Sequence, residues 1–122
     1  MRLLILILAL VLSVTAFAQS DAKALATEKA KLAGLEKTYT AAKAKFTKSA
    51  KDAKVKKTYL DAANALADAT MRSAALSSKE KYPKALRLFR EVLKVDPANK
   101  MAMENRDMIE GIYKSMGRPI PK

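Results

Sequence analysis

The side chains available for chemistry in this chain are lysines, scattered carboxylates and a few amides, because it has no Cys, no His and no Trp. Without Cys or His there is no thiol nucleophile, no disulfide and no zinc site of those ligands, nor an imidazole for acid–base work or a Ser-His-Asp triad. Three Gly in 122 residues leave no glycine-rich loop to cradle a phosphate. The twelve Asp and Glu fall largely on rows that a helix turns to solvent. No pair of them sits in apolar surroundings that would raise a pKa for proton transfer, and none has metal-loop spacing. The sequence therefore predicts no catalysis, no cofactor and no metal.

Charge is the more informative signal. Lys and Arg number 24, for a formal charge of +12. Residues 22–57 hold eleven Lys against three acids, whereas residues 58–122 hold twelve basic and eight acidic residues. Lys43, Lys45, Lys48, Lys51 and Lys54 are candidate contacts to an anionic surface, such as phospholipid headgroups or an envelope polymer. Only Tyr39 and Phe46 accompany them, so no base-stacking platform for specific nucleic-acid binding is present. The bulky apolar face that interfacial helices bury in a bilayer is absent too. The plain alternative is a lysine face that simply keeps the helix solvated.

The elements that must carry these groups begin after a distinct N-terminal segment. Arg2 precedes an apolar run from Leu3 to Leu12, and Ala16-Phe17-Ala18 places small residues before Gln19. A positive start, an apolar centre and an A-x-A end predict a secretory signal peptide over residues 1–18, cleaved between Ala18 and Gln19. The alternative, an uncleaved anchor, needs about 20 apolar residues, and Leu3 to Ala18 falls short. The expected product is exported, periplasmic or secreted, and with no Cys it relies on packing for stability.

Four helices are expected in the remainder. Leu25, Leu32, Leu35, Tyr39, Ala42 and Phe46 keep one face of a Lys/Ala-rich first helix apolar, within residues 19–52 and ending near Ser49–Asp52. Such a narrow stripe suits a helix laid on one neighbour, or one paired with its copy in a homodimer. A second helix runs from about Ala53 to Leu76, with Lys54, Lys57, Asp61, Asn64, Asp68 and Arg72 as its polar stripe. The third, Pro83 to Val95, has two apolar rows, Tyr82, Leu86, Phe89 and Leu93, then Leu88, Val92 and Val95. Two rows predict packing on two sides, with Lys84, Arg87, Glu91 and Lys94 as the polar row between them. After the Asp96-Pro97-Ala98-Asn99 turn, a fourth helix spans about Ala98 to Met116. Met101, Ala102, Met108, Ile109, Ile112, Tyr113 and Met116 face inward there. Gly117 caps it, and residues 118–122 form an extended tail. The fold class is all-α, a short antiparallel array or bundle of about four helices.

Tyr82, Ala85, Phe89, Val92 and Pro97 stand at the spacing of the second helix of a tetratricopeptide repeat and the turn that follows it. The segment LFREVLKVDPANK, Leu88 to Lys100, resembles that helix running into the next unit, and the fourth helix resembles a capping helix. Val92 stands where the family usually has Ala. Asn64-Ala-Leu-Ala67 resembles a first-helix core set roughly two helical turns too far upstream. The resemblance covers about 45 residues closely and, over the domain 53–117, about 65 loosely. A single repeat with flanking helices is fewer than a stable array normally needs, so a non-repeat four-helix bundle stays open beside it.

That resemblance implies a protein-interaction module whose concave face holds a peptide. It makes Asn64, Asp68 and Arg72 on the second helix, with Met101, Asn105 and Met108 on the fourth, the candidate partner-binding residues. An Asn can bond a peptide backbone, an Arg can hold a carboxylate bidentately and Met adapts to varied apolar partners. The competing reading places the methionines in the core and leaves the polar row merely solvated. The expected function is thus an exported scaffold or adaptor that binds another protein, and the alternative is a cationic module on an anionic envelope surface.

Overall fold

The computed structural model describes the backbone of residues 2–122 and the side chains of residues 19–122. The expected signal peptide falls on residues 1–18, outside the described side chains. Four helices follow one another, α1 (Arg2–Lys48), α2 (Ala53–Arg72), α3 (Ser78–Val95) and α4 (Lys100–Ser115). No strand occurs among the described residues, and none of their helices is long and apolar enough to cross a membrane. The fold is the expected all-α array, in which α1 packs on α2, α2 on α3 and α3 on α4.

The centre of the array is the α2–α3 seam. Leu66, Leu86, Leu88, Phe89, Val92 and Ile109 are enclosed, and α2 adds Ala62, Ala63 and Ala67. These alanines leave room for helix backbones to approach on both sides of α2. Both apolar rows of α3 are used, because α2 and α4 flank it. On α1 the expected stripe packs inward through Tyr39 and Ala42, with Leu35 and Phe46 partly covered against the same core. Leu25 remains 41% exposed. The stripe that a homodimer through α1 would use is thus occupied within the chain from Leu35 to Phe46.

The boundaries follow local hydrogen bonds more than hydrophobic period. Asp52 Oδ1 accepts the N–H groups of Lys54 at 2.9 Å and Val55 at 3.1 Å, starting α2 where the sequence placed it. That helix stops at Arg72, short of the expected Leu76, because other acceptors take the next amides. Ala75 N–H donates to Ser73 Oγ and to the Glu28 carboxylate of α1, both at 3.1 Å. In the other direction, α3 starts at Ser78, ahead of the expected Pro83. The Ser77 N–H and hydroxyl both donate to Glu80 Oε2, at 3.0 and 2.9 Å, and these bonds hold the exposed Glu80 carboxyl below its usual range. Pro83 then lies inside the helix. Its missing N–H leaves the Lys79 carbonyl without that intrahelical bond, at an exposed position where water can serve it.

For α4, Asn99 caps the start by accepting Ala102 N–H at 3.1 Å, which leaves Pro97 in the turn. Its end is the expected glycine cap. Gly117 takes φ +62° and donates to Lys114, while Arg118 N–H reaches Tyr113. Two expectations for this region are corrected. Met101, Met108 and Met116 are 39%, 48% and 51% exposed; with α3 as its main neighbour, α4 fully buries only Ala102 and Ile109. Moreover, residues 118–122 are not a free tail, since Arg90 donates to the Pro121 carbonyl at 2.6 Å and Ile120 packs against the core.

The enclosed aromatic ring and the exposed methionines should behave oppositely. Phe89→Ala is expected to cost about 3–5 kcal/mol, whereas Met116→Ala should stay within about 0.5 kcal/mol. Urea midpoints of the two variants check this, and a Phe89→Ala loss below that of an exposed site would contradict the core described here.

Candidate functional site

The most highly connected polar group is Glu91 of α3, at the junction of α1, α2 and α3. Its Oε2 accepts the Tyr39 hydroxyl at 2.5 Å and the Tyr59 hydroxyl at 3.1 Å. Lys43 Nζ lies 3.3 Å from each carboxylate oxygen and donates to Tyr39 Oη at 3.1 Å, while Arg87 reaches Oε1 at 3.4 Å. Below the carboxylate the Phe46 and Tyr59 rings stack with centroids 4.7 Å apart and planes within 6°. Lys43 also stands 5.5 Å from the Tyr39 ring centroid.

Electrostatics fix the protonation of this cluster. Burial alone would raise the Glu91 pKa, but hydrogen bonds from Tyr39, Lys43 and Tyr59, with the Lys43 charge, outweigh it and hold the carboxyl below its ordinary 4.5. Burial first, and the neighbouring carboxylate second, push both Tyr39 and Tyr59 above their ordinary 10.0. A general acid or base works best with a pKa near the operating pH, and these groups are driven away from neutrality on both sides. The cluster is a fastening between helices. Sequence reasoning missed it by assigning Glu91 to a polar row and Tyr39 to the apolar stripe of α1. The available signal was Glu91 lying between two buried rows, together with tyrosines whose hydroxyls need partners when their rings are covered.

The six expected partner-binding residues are not gathered in one site. Asn64 is buried, contrary to its place on a polar stripe, and donates to Asn99 Oδ1 at 3.2 Å, tying α2 to the α4 cap. Its own Oδ1 and the Thr70 hydroxyl are buried without a partner. Asp68 and Arg72 pair at 2.8 Å. They line a groove of about 330 Å³ with Glu28, Lys31, Leu32 and Leu35 of α1. Next to it, Leu25, Lys23 and Ala74 help line an open concavity of about 620 Å³ that shares Glu28 and Lys31. Met101 and Met108 are exposed on α4, and Asn105 is half-buried, its amide donating to the Met101 carbonyl at 3.0 Å.

Among the expected anionic-surface contacts, Lys43 belongs to the Glu91 junction. The other four surround the α1–α2 turn. Lys45 and Lys54 line a pocket of about 200 Å³ with Ala42, Val55 and Thr58. Lys48 and Lys51 are exposed. Among the described residues none of these four lysines is in an ion pair. No cluster of three or more carboxylates able to hold a metal occurs among the described residues either.

The junction sets a pH window. Glu91, with its pKa lowered, adds stability above pH about 4.5 that is lost as pH falls through its native value. Tyr39 and Tyr59, raised, add stability below pH about 10 that is lost as pH climbs through theirs. Glu91→Ala is expected to cost about 2 kcal/mol at pH 7, because it strands two tyrosine hydroxyls. The same change should flatten the acid limb of a stability profile measured by urea unfolding from pH 3 to pH 8. An unchanged acid limb would remove Glu91 as its source. Comparison with protein-family models, with curated proteins and with solved structures returns no match for this chain.

Proposed function

We propose that this chain is an exported protein-interaction module, a helical scaffold without catalytic activity that binds another protein through the outer face of α4. One observation carries the reading. Of the four large hydrophobic side chains exposed on the described residues, Met101 and Met108 stand two turns apart on one face of α4, while Met116 caps its end and Leu25 lies on α1. Adaptable thioethers grouped on a helix face are a common basis for partner binding, and α4 has α3 as its main packing neighbour. The tetratricopeptide-like character rests on the spacing from Tyr82 to Pro97, of which Ala85, Phe89 and Val92 are buried. Export rests on Arg2, the Leu3–Leu12 run and Ala16-Phe17-Ala18.

The test is a crosslinking pull-down from envelope extract at high salt, with tagged wild-type chain and a Met101→Glu/Met108→Glu variant. A discrete protein retained by the wild type and lost from a variant that still melts cooperatively is the expected result. The same proteins on both baits would overturn the α4 assignment. Recovery confined to low salt would overturn the interaction reading, because contacts between exposed charges are screened over about 8 Å at physiological ionic strength.

A further inference from the structure

The α1–α2 turn collects positive charge that Asp52 alone offsets and that no ion pair among the described residues takes up. Lys45 and Lys48 lie in the last turn of α1 and Lys54 and Lys56 in the first turn of α2, with Lys51 between them. Cations suit the end of α1, but at the start of α2 they oppose the helix dipole, and α2 has no acidic residue in its first turn to compensate. The nearby acid, Asp52, is committed to capping the Lys54 and Val55 amides. Lys57, one residue beyond, is paired with Asp61 at 2.6 Å, and Lys43, on the other side, with Glu91. Between those two pairs, Lys45, Lys48, Lys51, Lys54 and Lys56 crowd five cations in no ion pair among the described residues into twelve positions. The exposed large hydrophobics lie elsewhere, at Leu25, Met101, Met108 and Met116, so this end has nothing to insert into a bilayer and no exposed ring on which a base could stack.

We propose that the hairpin end, Lys45, Lys48, Lys51 and Lys54, is a docking site for clustered phosphate groups. It is independent of the α4 row and would operate whether or not that row binds a protein. Lysine ammonium groups bind phosphate as point charges that need no fixed orientation, which suits four flexible side chains around a turn. Lys45 and Lys54 line one pocket from different helices, so the fold sets these two lysines side by side across the turn. The phosphates can be carried by a soluble polymer or by a lipid headgroup array, and the chemistry is the same.

The test uses the full chain with two probes, inorganic polyphosphate and phosphatidylglycerol vesicles. Two variants lose the same charge. One replaces Lys45, Lys48, Lys51 and Lys54 by Gln, and the other replaces Lys29, Lys79, Lys114 and Lys122, all exposed and remote in sequence from the hairpin. The hairpin variant should bind at least about tenfold more weakly while the control stays within about twofold of wild type. Loss with polyphosphate identifies a soluble phosphate polymer, and loss with vesicles alone identifies headgroups. Any contribution of the apolar Leu3–Leu12 run to vesicle binding is common to both variants. Acetylation of the wild-type lysines gives a second readout, in which bound probe should protect the hairpin four and leave Lys79 and Lys114 reactive. Equal weakening in both variants, uniform protection, or no binding to either probe overturns the proposal. So does a carboxylate polymer of equal charge that binds as tightly.

Discussion

A single carboxylate holds three helices in register. Glu91 is the point at which α3 receives a hydroxyl from α1 and another from α2, and both cations that complete its shell approach from the wetter side. A half-buried charge of this kind is stabilising only when its lone pairs are met. Meeting them requires Tyr39 and Tyr59 to arrive from different elements at one oxygen. The helix spacing must therefore be small, which the alanines of α2 allow. Packing and polar satisfaction are one constraint here, because a larger residue at Ala62 or Ala63 would move the hydroxyls away from the carboxylate.

Around that junction the fold has unequal ends. The α2–α3 seam is closely packed, whereas α1 adds a narrow apolar stripe supplemented by polar ties, Glu36 to Lys84 and Glu28 to the loop after α2. At the other side, α4 rests on α3 and is fastened at its start by the Asn64–Asn99 bond and near its end by Arg90 with Glu110. Two surfaces stand apart from this packing, the exposed methionines on the last helix and at its end, and the lysine-rich turn beside the first.

Much of this architecture was legible in the residues, and the failures have physical causes. Periodicity placed four helices and identified α3 as packed on two sides, because a row of Leu, Phe and Val is a long-range signal that survives local detail. It misplaced the ends of α2 and α3, where Ser73, Ser77, Glu28 and Glu80 compete for backbone amides and a helical period carries no information about such bonds. Asn64 read as solvated because its row was polar, yet a short amide can be buried when another amide faces it. The methionines read as core because a Met at helical spacing usually is; α4 has too little covering it to use them. Glu91 was the largest omission. A charge between two apolar rows has no partner visible along its own helix, since Tyr39 and Tyr59 lie 52 and 32 residues away in sequence.

That separation bears on how the chain reaches its structure. Every packed seam in the array joins consecutive helices, a topology of short loop closures that favours rapid, stepwise assembly outward from α2 and α3. The Tyr39–Glu91 bond breaks this pattern, because, like Glu36–Lys84, it joins α1 directly to α3, and among the described residues it spans the longest sequence separation of any side-chain hydrogen bond. Docking of α1 is then the natural last event, after the site that receives it has formed. In the reverse direction α1 is the first element to leave, so amide exchange along Leu32–Phe46 should report a local opening while α2 and α3 remain protected.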